Sequence, residues 1–195
     1  MHVRRLVPAL AGAVAFAVAP PTASAAQKIV PAQSEVSFVS KQMGVPVQGK
    51  FERFDGQVNI DPARPESGRV SFTVDLSSVA IATAEAVAEL KKPDWFGVAK
   101  FPAATFQSSS IKSLGNNRID VIGKLTIKGI TRSVDFDLAF HGTSVFPMDE
   151  STHAGFLATA TINRSDFNVS YGIPLAADEV NIRIDAQLIA PSNLG

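Results

Sequence analysis

The chain has 195 residues, with 18 Lys and Arg against 18 Asp and Glu, three His and no Cys. The missing thiols exclude disulfides, thiolate metal sites and thiol catalysis. Balanced charge with no block of one sign leaves no basic surface for nucleic acid, and the length suits one domain.

The N-terminus reads as a secretory signal. Arg4 and Arg5 form a positive start, Leu6 to Ala19 is a nearly unbroken apolar run, and Ala23-Ser24-Ala25 supplies a small-x-small cleavage site. The run is shorter than the ~20 residues that span a bilayer core, and Pro20-Pro21 closes it. No Cys stands at the cleavage site to carry a lipid anchor. Residues 1–25 are therefore expected to be a cleaved leader, and 26–195 a single exported, periplasmic domain with no membrane span.

After the leader, apolar and polar residues alternate with period two, as in strands with one buried and one wet face. Val36 and Phe38 share the inner face of the first strand. Val45, Val47 and Phe51 follow, with Val58 and Ile60 continuing after a change of face. Val70, Phe72, Val74 and Leu76 come next, interleaved with Ser71, Thr73 and Asp75. Ile119, Val121, Leu125 and Ile127 repeat the pattern, as do Val134, Phe136, Leu138 and Phe140. Phe156, Ala158, Ala160 and Ile162 make a further strand, and Val180 to Leu188 the last. Turn residues separate the runs at Asp61 to Gly68, Gly115-Asn116-Asn117 and Lys128-Gly129. About eight strands at hairpin spacing point to an all-β sandwich or an antiparallel barrel. The outward positions Thr131, Ser133, Asp135 and Asp137, and Asn181, Arg183, Asp185 and Gln187, are polar. A membrane barrel would place its apolar band there instead.

Ala82 to Lys92 breaks the alternation with Ala, Glu, Leu and Lys, and reads as a short helix inserted between strands. Thr83 is its expected N-cap, Glu85 lies in the first turn and Pro93 stops it, with Val87 and Leu90 turned inward. Gly49 and Gly123 interrupt strands and are expected at bulges or tight bends.

Little here points to catalysis. His141 and His153 flank a loop without a catalytic partner at familiar spacing, and with Asp149 and Glu150 they read as solvated surface groups rather than a metal site. No phosphate loop, nucleophile elbow or metalloprotease helix is present. Glu85 and Glu89, one helical turn apart, read as a wet face. Trp95, Phe96, Phe101 and Phe106 form the densest aromatic cluster, open to core packing or to ligand contact. An eight-stranded barrel can be filled by its own side chains or hold one small ligand. The small residues Ala158 and Ala160 beside Phe156 hint at spare volume.

Four stretches carry a resemblance: KFERFDGQVNIDPARPE (residues 50–66), KKPDWFGVAKFPAATFQS (91–108), GKLTIKGITR (123–132) and INRSDF (162–167). In this order, behind Val36-Ser37-Phe38, they resemble the YceI-like family of periplasmic polyisoprenoid-binding proteins across nearly the whole domain. Glu89, Trp95 and Phe101 depart from it, standing where His, Phe and Tyr are usual. The resemblance implies a lipocalin-like, eight-stranded antiparallel barrel that holds a long isoprenoid chain, with no catalytic residues and no cofactor. The INRSDF stretch reads locally as a strand-ending turn held by Asn163, Ser165 and Asp166.

On that reading the ligand contacts are Phe38, Val47, Phe51, Val58, Phe72, Val74, Leu90, Trp95, Phe96, Phe106, Val121, Phe136, Phe156 and Ile182. Lys91, Lys92 and Lys100 are candidates for a head group, which is a phosphate if they contact it and a quinone if only neutral donors are needed. A carrier of this kind touches a membrane or a membrane protein transiently. The alternative is a filled barrel that serves as a structural or protein-interaction module.

Overall fold

The computed structural model describes residues 27–61, 64–145 and 151–189. The expected leader and cleavage site, and the Asp149-Glu150 pair, lie outside these residues.

The alternating runs form β1 (Gln27–Ile29), β2 (Glu35–Gln42), β3 (Val45–Phe51), β4 (Phe54–Asn59), β5 (Arg69–Asp75), β6 (Val79–Ala80), β7 (Ala103–Gly115), β8 (Arg118–Ile127), β9 (Ile130–Val145), β10 (Thr152–Asn163) and β11 (Glu179–Ile189), with one helix, α1 (Ala84–Leu90). All pairings are antiparallel, and the ladder running from β1 through β4, β5 and β7 to β11 closes where β11 meets β1 again. The same edge of β11 is shared: Asn181 to Asp185 pair with β2, while Leu188 and Ile189 pair with β1. In turn β2 pairs with β3, and β3 reaches β6 through Lys50 and Phe51. Thus β1/β2, β3/β4 and β5/β6 are three broken staves, and with the five long strands they make a closed eight-stranded antiparallel barrel.

The breaks have local causes. Pro31 opens a single 3-10 turn between β1 and β2. Between β5 and β6 the Asp75 carboxylate caps the Leu76–Ser78 turn, accepting from Ser77 N–H at 2.8 Å. Arg53, at the β3/β4 bend, donates to Asp75 at 2.9 Å, and its own backbone N–H donates to Ser78 Oγ at 2.9 Å, so the two kinks brace each other. Met43-Gly44, Asn116-Asn117 and Lys128-Gly129 all have positive φ, the hairpin geometry their residue types favour.

The β7 strand is absent from the period-two pattern. Gln107-Ser108-Ser109-Ser110 looks like loop, and Phe106 and Ile111 stand five apart, which no regular strand puts on one face. A bulge resolves this, because Ser108 pairs with Gly123 and Ser110 with Ile122, so Ser109 is the extra residue. Phe106 and Ile111 are consequently both buried.

Gly49 sits in unbroken register rather than at a bulge, whereas Gly123 stands opposite one as expected, and both glycines make room for a ring. A Cβ on Gly49 would lie 2.4 Å from Phe38 Cζ, and one on Gly123 would lie 2.3 Å from Phe106 Cζ. Each glycine is the floor on which a phenylalanine ring lies across the ladder. The Gly123 site also adjoins the bulge, which lies in its partner strand.

Inward residues from the whole circuit form one core, including Val58, Phe72, Val121, Phe136 and Leu188. Outward Thr131, Ser133, Asp135, Asn181 and Arg183 are exposed, and Arg118 pairs with Asp137 across the outer face. No helix among the described residues is long and apolar enough to cross a membrane.

Candidate binding cavity and its mouth

The core is not filled. An interior cavity of about 610 Å³ runs along the barrel, lined almost wholly by apolar side chains. All fourteen apolar positions expected to contact a ligand, from Phe38 and Val47 to Phe156 and Ile182, line this one space. Ala158 lines it too, while Ala160 is buried beside it, so the small residues do leave room. A filled barrel would need this volume packed.

The aromatic cluster is dispersed. Trp95 and Phe96 line the cavity, and Phe96 continues a row with Phe51 (centroids 6.0 Å apart) and Phe38 (5.5 Å from Phe51). Phe106 lies deeper, edge-on to Phe136 at 5.0 Å. Phe101 packs instead on the Lys128-Gly129 turn.

At one end the walls become polar. Thr83 caps α1 by accepting from Ala86 N–H at 3.2 Å, and the helix presents Glu85, Ala86, Glu89 and Leu90 to the cavity. Val87, expected inward, is half-buried away from the lining, and the two glutamates expected to be merely wet stand at the mouth. The reason is the shortness of α1: one face of two turns carries both carboxylates with Leu90. The expected head-group lysines do not line the cavity. Lys92 is drawn to Glu89, donating at 2.6 Å, and the Lys100 ammonium sits 5.3 Å from the centre of the Phe101 ring. Lys91 caps the C-terminal end of α1 and points no group into the lining. The Lys92 ammonium holds the Glu89 carboxyl below its ordinary pKa, and Glu89 holds the Lys92 pKa up. The cations that do line the space are Lys41 and Arg164.

Arg164 is the organiser that sequence reading missed. Its side chain is buried, and it donates from Nε to Ala177 O (2.9 Å), from Nη1 to Val169 O (2.6 Å) and Tyr171 O (2.9 Å), and from Nη2 to Ala176 O (2.8 Å). These bonds fold residues 169–177 around one guanidinium, while Asp178 accepts from Ser165 N–H at 2.8 Å and Ser165 Oγ–H at 2.6 Å. Burial lowers the Arg164 pKa, with Asp178 opposing, and the group stays charged at any ordinary pH. INRSDF is thus a side-chain-held turn in which Ser165 takes part as expected, with Asp178 as its acceptor and Arg164 as the main donor, while Asn163 makes no capping bond. An Arg set among cap-forming residues at a strand end was the available signal.

The folded loop meets the rest of the mouth. Met43 N–H donates to Leu175 O at 2.7 Å, and Tyr171 lies edge-on to Trp95 at 5.8 Å. Met43, Val45, Tyr171, Ile173 and Leu175 are all exposed.

The histidines part company. His141 is exposed, whereas His153 is buried on β10, its Nε2 2.9 Å from Ser151 Oγ, so it is not a solvated loop residue. Among the described residues no three His, Asp or Glu side chains gather as metal ligands do.

Comparison with known proteins places this geometry. The family model for the YceI-like domain matches residues 27–188. A UPF0312 protein of Ectopseudomonas mendocina is 33% identical over 148 residues, covering 75% of this chain and 77% of the relative. Protein YceI of Salmonella arizonae is 33% identical over 153 residues, covering 78% of this chain and 79% of its own. The crystal structure of Burkholderia cenocepacia BcnA superposes with a TM-score of 0.75 at 36% identity, over 83% of this chain and 99% of that one. A polyisoprenoid binding domain from Saccharophagus degradans, implicated in plant cell wall breakdown, shares the fold at a TM-score of 0.64, 17% identity and coverage of 86% and 99%. Barrel, cavity and sequence agree, and the chain belongs to the YceI-like family.

Proposed function

We propose that this protein is an exported carrier that holds a long isoprenoid lipid inside its barrel. The observation that carries the reading is the apolar cavity of about 610 Å³, within the range of small-ligand sites and lined by Phe, Val, Leu and Ile from around the whole barrel. Burying a methylene-sized group is worth ~0.8 kcal/mol, so each five-carbon isoprene unit contributes roughly 3–4 kcal/mol before costs. Ordering the chain opposes this by several kcal/mol, and a few buried units overcome it. The polyisoprenoid-binding description of the Saccharophagus relative supports the same cargo.

The leader at residues 1–25 supports a periplasmic location, where a lipid needs cover to cross water. Among the described residues, five of the seven exposed large apolar side chains (Met43, Val45, Tyr171, Ile173 and Leu175) lie on the hairpin and the loop that meet through the Met43–Leu175 bond beside the cavity mouth. They would enter the outer layer of a bilayer during transient contact and let the lipid pass without exposure to water. The test mixes the protein with vesicles containing an isoprenoid quinone, then separates the two by gel filtration. Quinone eluting with the protein supports the reading; quinone remaining wholly with the vesicles contradicts it.

A further inference from the structure

The barrel wall is laced by ladder hydrogen bonds, so parting two staves to admit a lipid would break several at once. The excursion between β6 and β7 is attached differently. Its ends are fixed, by the pairing of Ala80 with Lys50 and by Leu76 N–H donating to Pro102 O at 2.8 Å. Between them, the backbone hydrogen bonds of residues 82–101 stay inside the segment. Phe96 N–H donates to Leu90 O at 3.0 Å, Gly97 N–H to Lys92 O at 2.8 Å and Phe101 N–H to Gly97 O at 2.9 Å. Among the described residues, none of these bonds runs to a strand. The Thr83 cap and the Glu89–Lys92 pair brace the same unit from within. No residue of α1 is buried, yet Glu85, Ala86, Glu89, Leu90, Trp95 and Phe96 face the cavity. The segment is an internally bonded cover on the mouth.

Aromatic contacts hold it down. Phe96 rests on Phe51 with centroids 6.0 Å apart, and the Trp95 indole lies under the Arg164 guanidinium at 4.9 Å with Tyr171 edge-on at 5.8 Å. Lifting the segment parts such contacts without breaking a ladder bond, as in elements that open locally as units. The two partners of Trp95 differ in exposure. Arg164 is buried, whereas Tyr171 is exposed on the same loop as exposed Ile173 and Leu175. A lipid surface that takes in Ile173 and Leu175 also offers the tyrosine ring an interface that suits its apolar body and polar tip. One partner of Trp95 thus stands on the surface that meets the bilayer in the carrier reading, on which the inference rests.

We propose that residues 82–101 are a lid over the cavity, latched by Tyr171 against Trp95 and released when the 171–175 loop enters a lipid surface. In water the latch keeps the cargo enclosed. At a bilayer it yields, so loading and unloading are confined to the membrane.

The test follows hydrogen exchange in the full-length protein, alone and with phosphatidylcholine vesicles, beside stopped-flow uptake and release of a menaquinone with a geranylgeranyl-length tail. The vesicles should speed exchange of residues 84–101 by about three- to tenfold, the worth of one aromatic pair, and slow that of residues 171–175. Tyr171→Ala should show the faster exchange without vesicles. It should also speed menaquinone entry and release each by about three- to tenfold, leaving equilibrium affinity within about twofold. Leu114→Ala, exposed at the far end of β7, should change none of these. Exchange in 84–101 that is indifferent to vesicles, or a Tyr171→Ala that alters affinity without altering the rates, overturns the inference and leaves the carrier reading standing. Absence of equilibrium binding of menaquinone to wild-type protein overturns both.

Discussion

The guanidinium of Arg164 lies over the indole of Trp95, 4.9 Å from its centroid, joining the loop after β10 to the segment after α1. Arg164 is far along the chain from Trp95, and each lies in a different quoted motif. Through this contact the INRSDF stretch shapes the cavity mouth, since the cation that folds residues 169–177 also positions the ring at the entrance. Arg164→Leu leaves Val169, Tyr171, Ala176 and Ala177 carbonyls without their donor, and should cost about 2–4 kcal/mol in urea unfolding. Arg164→Lys should recover only part of this, because an ammonium cannot reproduce the planar fork. Because Trp95 is the chain's single tryptophan, its emission should shift to the red in Arg164→Leu as the loop loosens. An unchanged stability and spectrum would show that the clamp is idle.

Gly49 and Gly123 should resist even alanine. A methyl group at Gly123 would sit within 2.3 Å of Phe106 Cζ, and the ring has Phe136 against it at 5.0 Å. Gly123→Ala should therefore cost about 1–3 kcal/mol, and Phe106→Leu on the same background should return part of it. Gly49→Ala should push Phe38 into the cavity, reducing lipid uptake more than stability. Thermal unfolding and an uptake assay on the same samples separate the two outcomes.

Much of this was legible in the sequence because the barrel is built from period two. The runs through Phe72, Phe136 and Phe156 turn their apolar positions into the core, and most of them line the cavity, while Val134, Phe140 and Ala160 pack beside it. Strand β7 was not legible because one bulged residue, Ser109, breaks that period. Gly49 and Gly123 were visible as exceptions, but the rings they accommodate lie on neighbouring strands. At the mouth, the lysines looked like head-group ligands because their charge was visible and their partners were not: Glu89 claims Lys92, and the Phe101 ring claims Lys100. Arg164 was hidden for the converse reason, since its four acceptors are backbone carbonyls and carry no side-chain signature.

The cavity can be closed without touching its mouth. Ala158 lines the interior on β10, opposite no charged group, and Ala158→Phe places a ring in the open volume. Stability should change by less than about 1 kcal/mol, since the added ring enters space rather than packed atoms. Quinone uptake should fall at least tenfold. Retained uptake would mean that the lipid binds elsewhere.

Acid should act on the kinks before it acts on the barrel wall. The Asp75 pKa is lowered, chiefly by the Ser77 hydroxyl, against an opposing effect of burial, with Arg53 lowering it further. A carboxyl whose folded pKa lies below its unfolded value stabilises fully above the unfolded value, near pH 4, and loses that contribution as pH falls through the folded one. Asp75→Asn should therefore lower stability by about 1 kcal/mol or less at neutral pH, as expected for a partly exposed cap and ion pair. Its difference from wild type should shrink in acid, as pH falls well below the ordinary carboxylate range. Urea midpoints at neutral and acid pH would show it, and a difference that persists undiminished in acid would exclude the carboxylate as its source.

The central claim is that the barrel carries an isoprenoid. Its most direct test is native mass spectrometry of the full-length protein, expressed in its own cell and purified from the envelope fraction without detergent. The account predicts one adduct per chain with the mass of an isoprenoid lipid, lost in Ala158→Phe. A barrel that is consistently empty, and that takes up no added isoprenoid quinone, would contradict it.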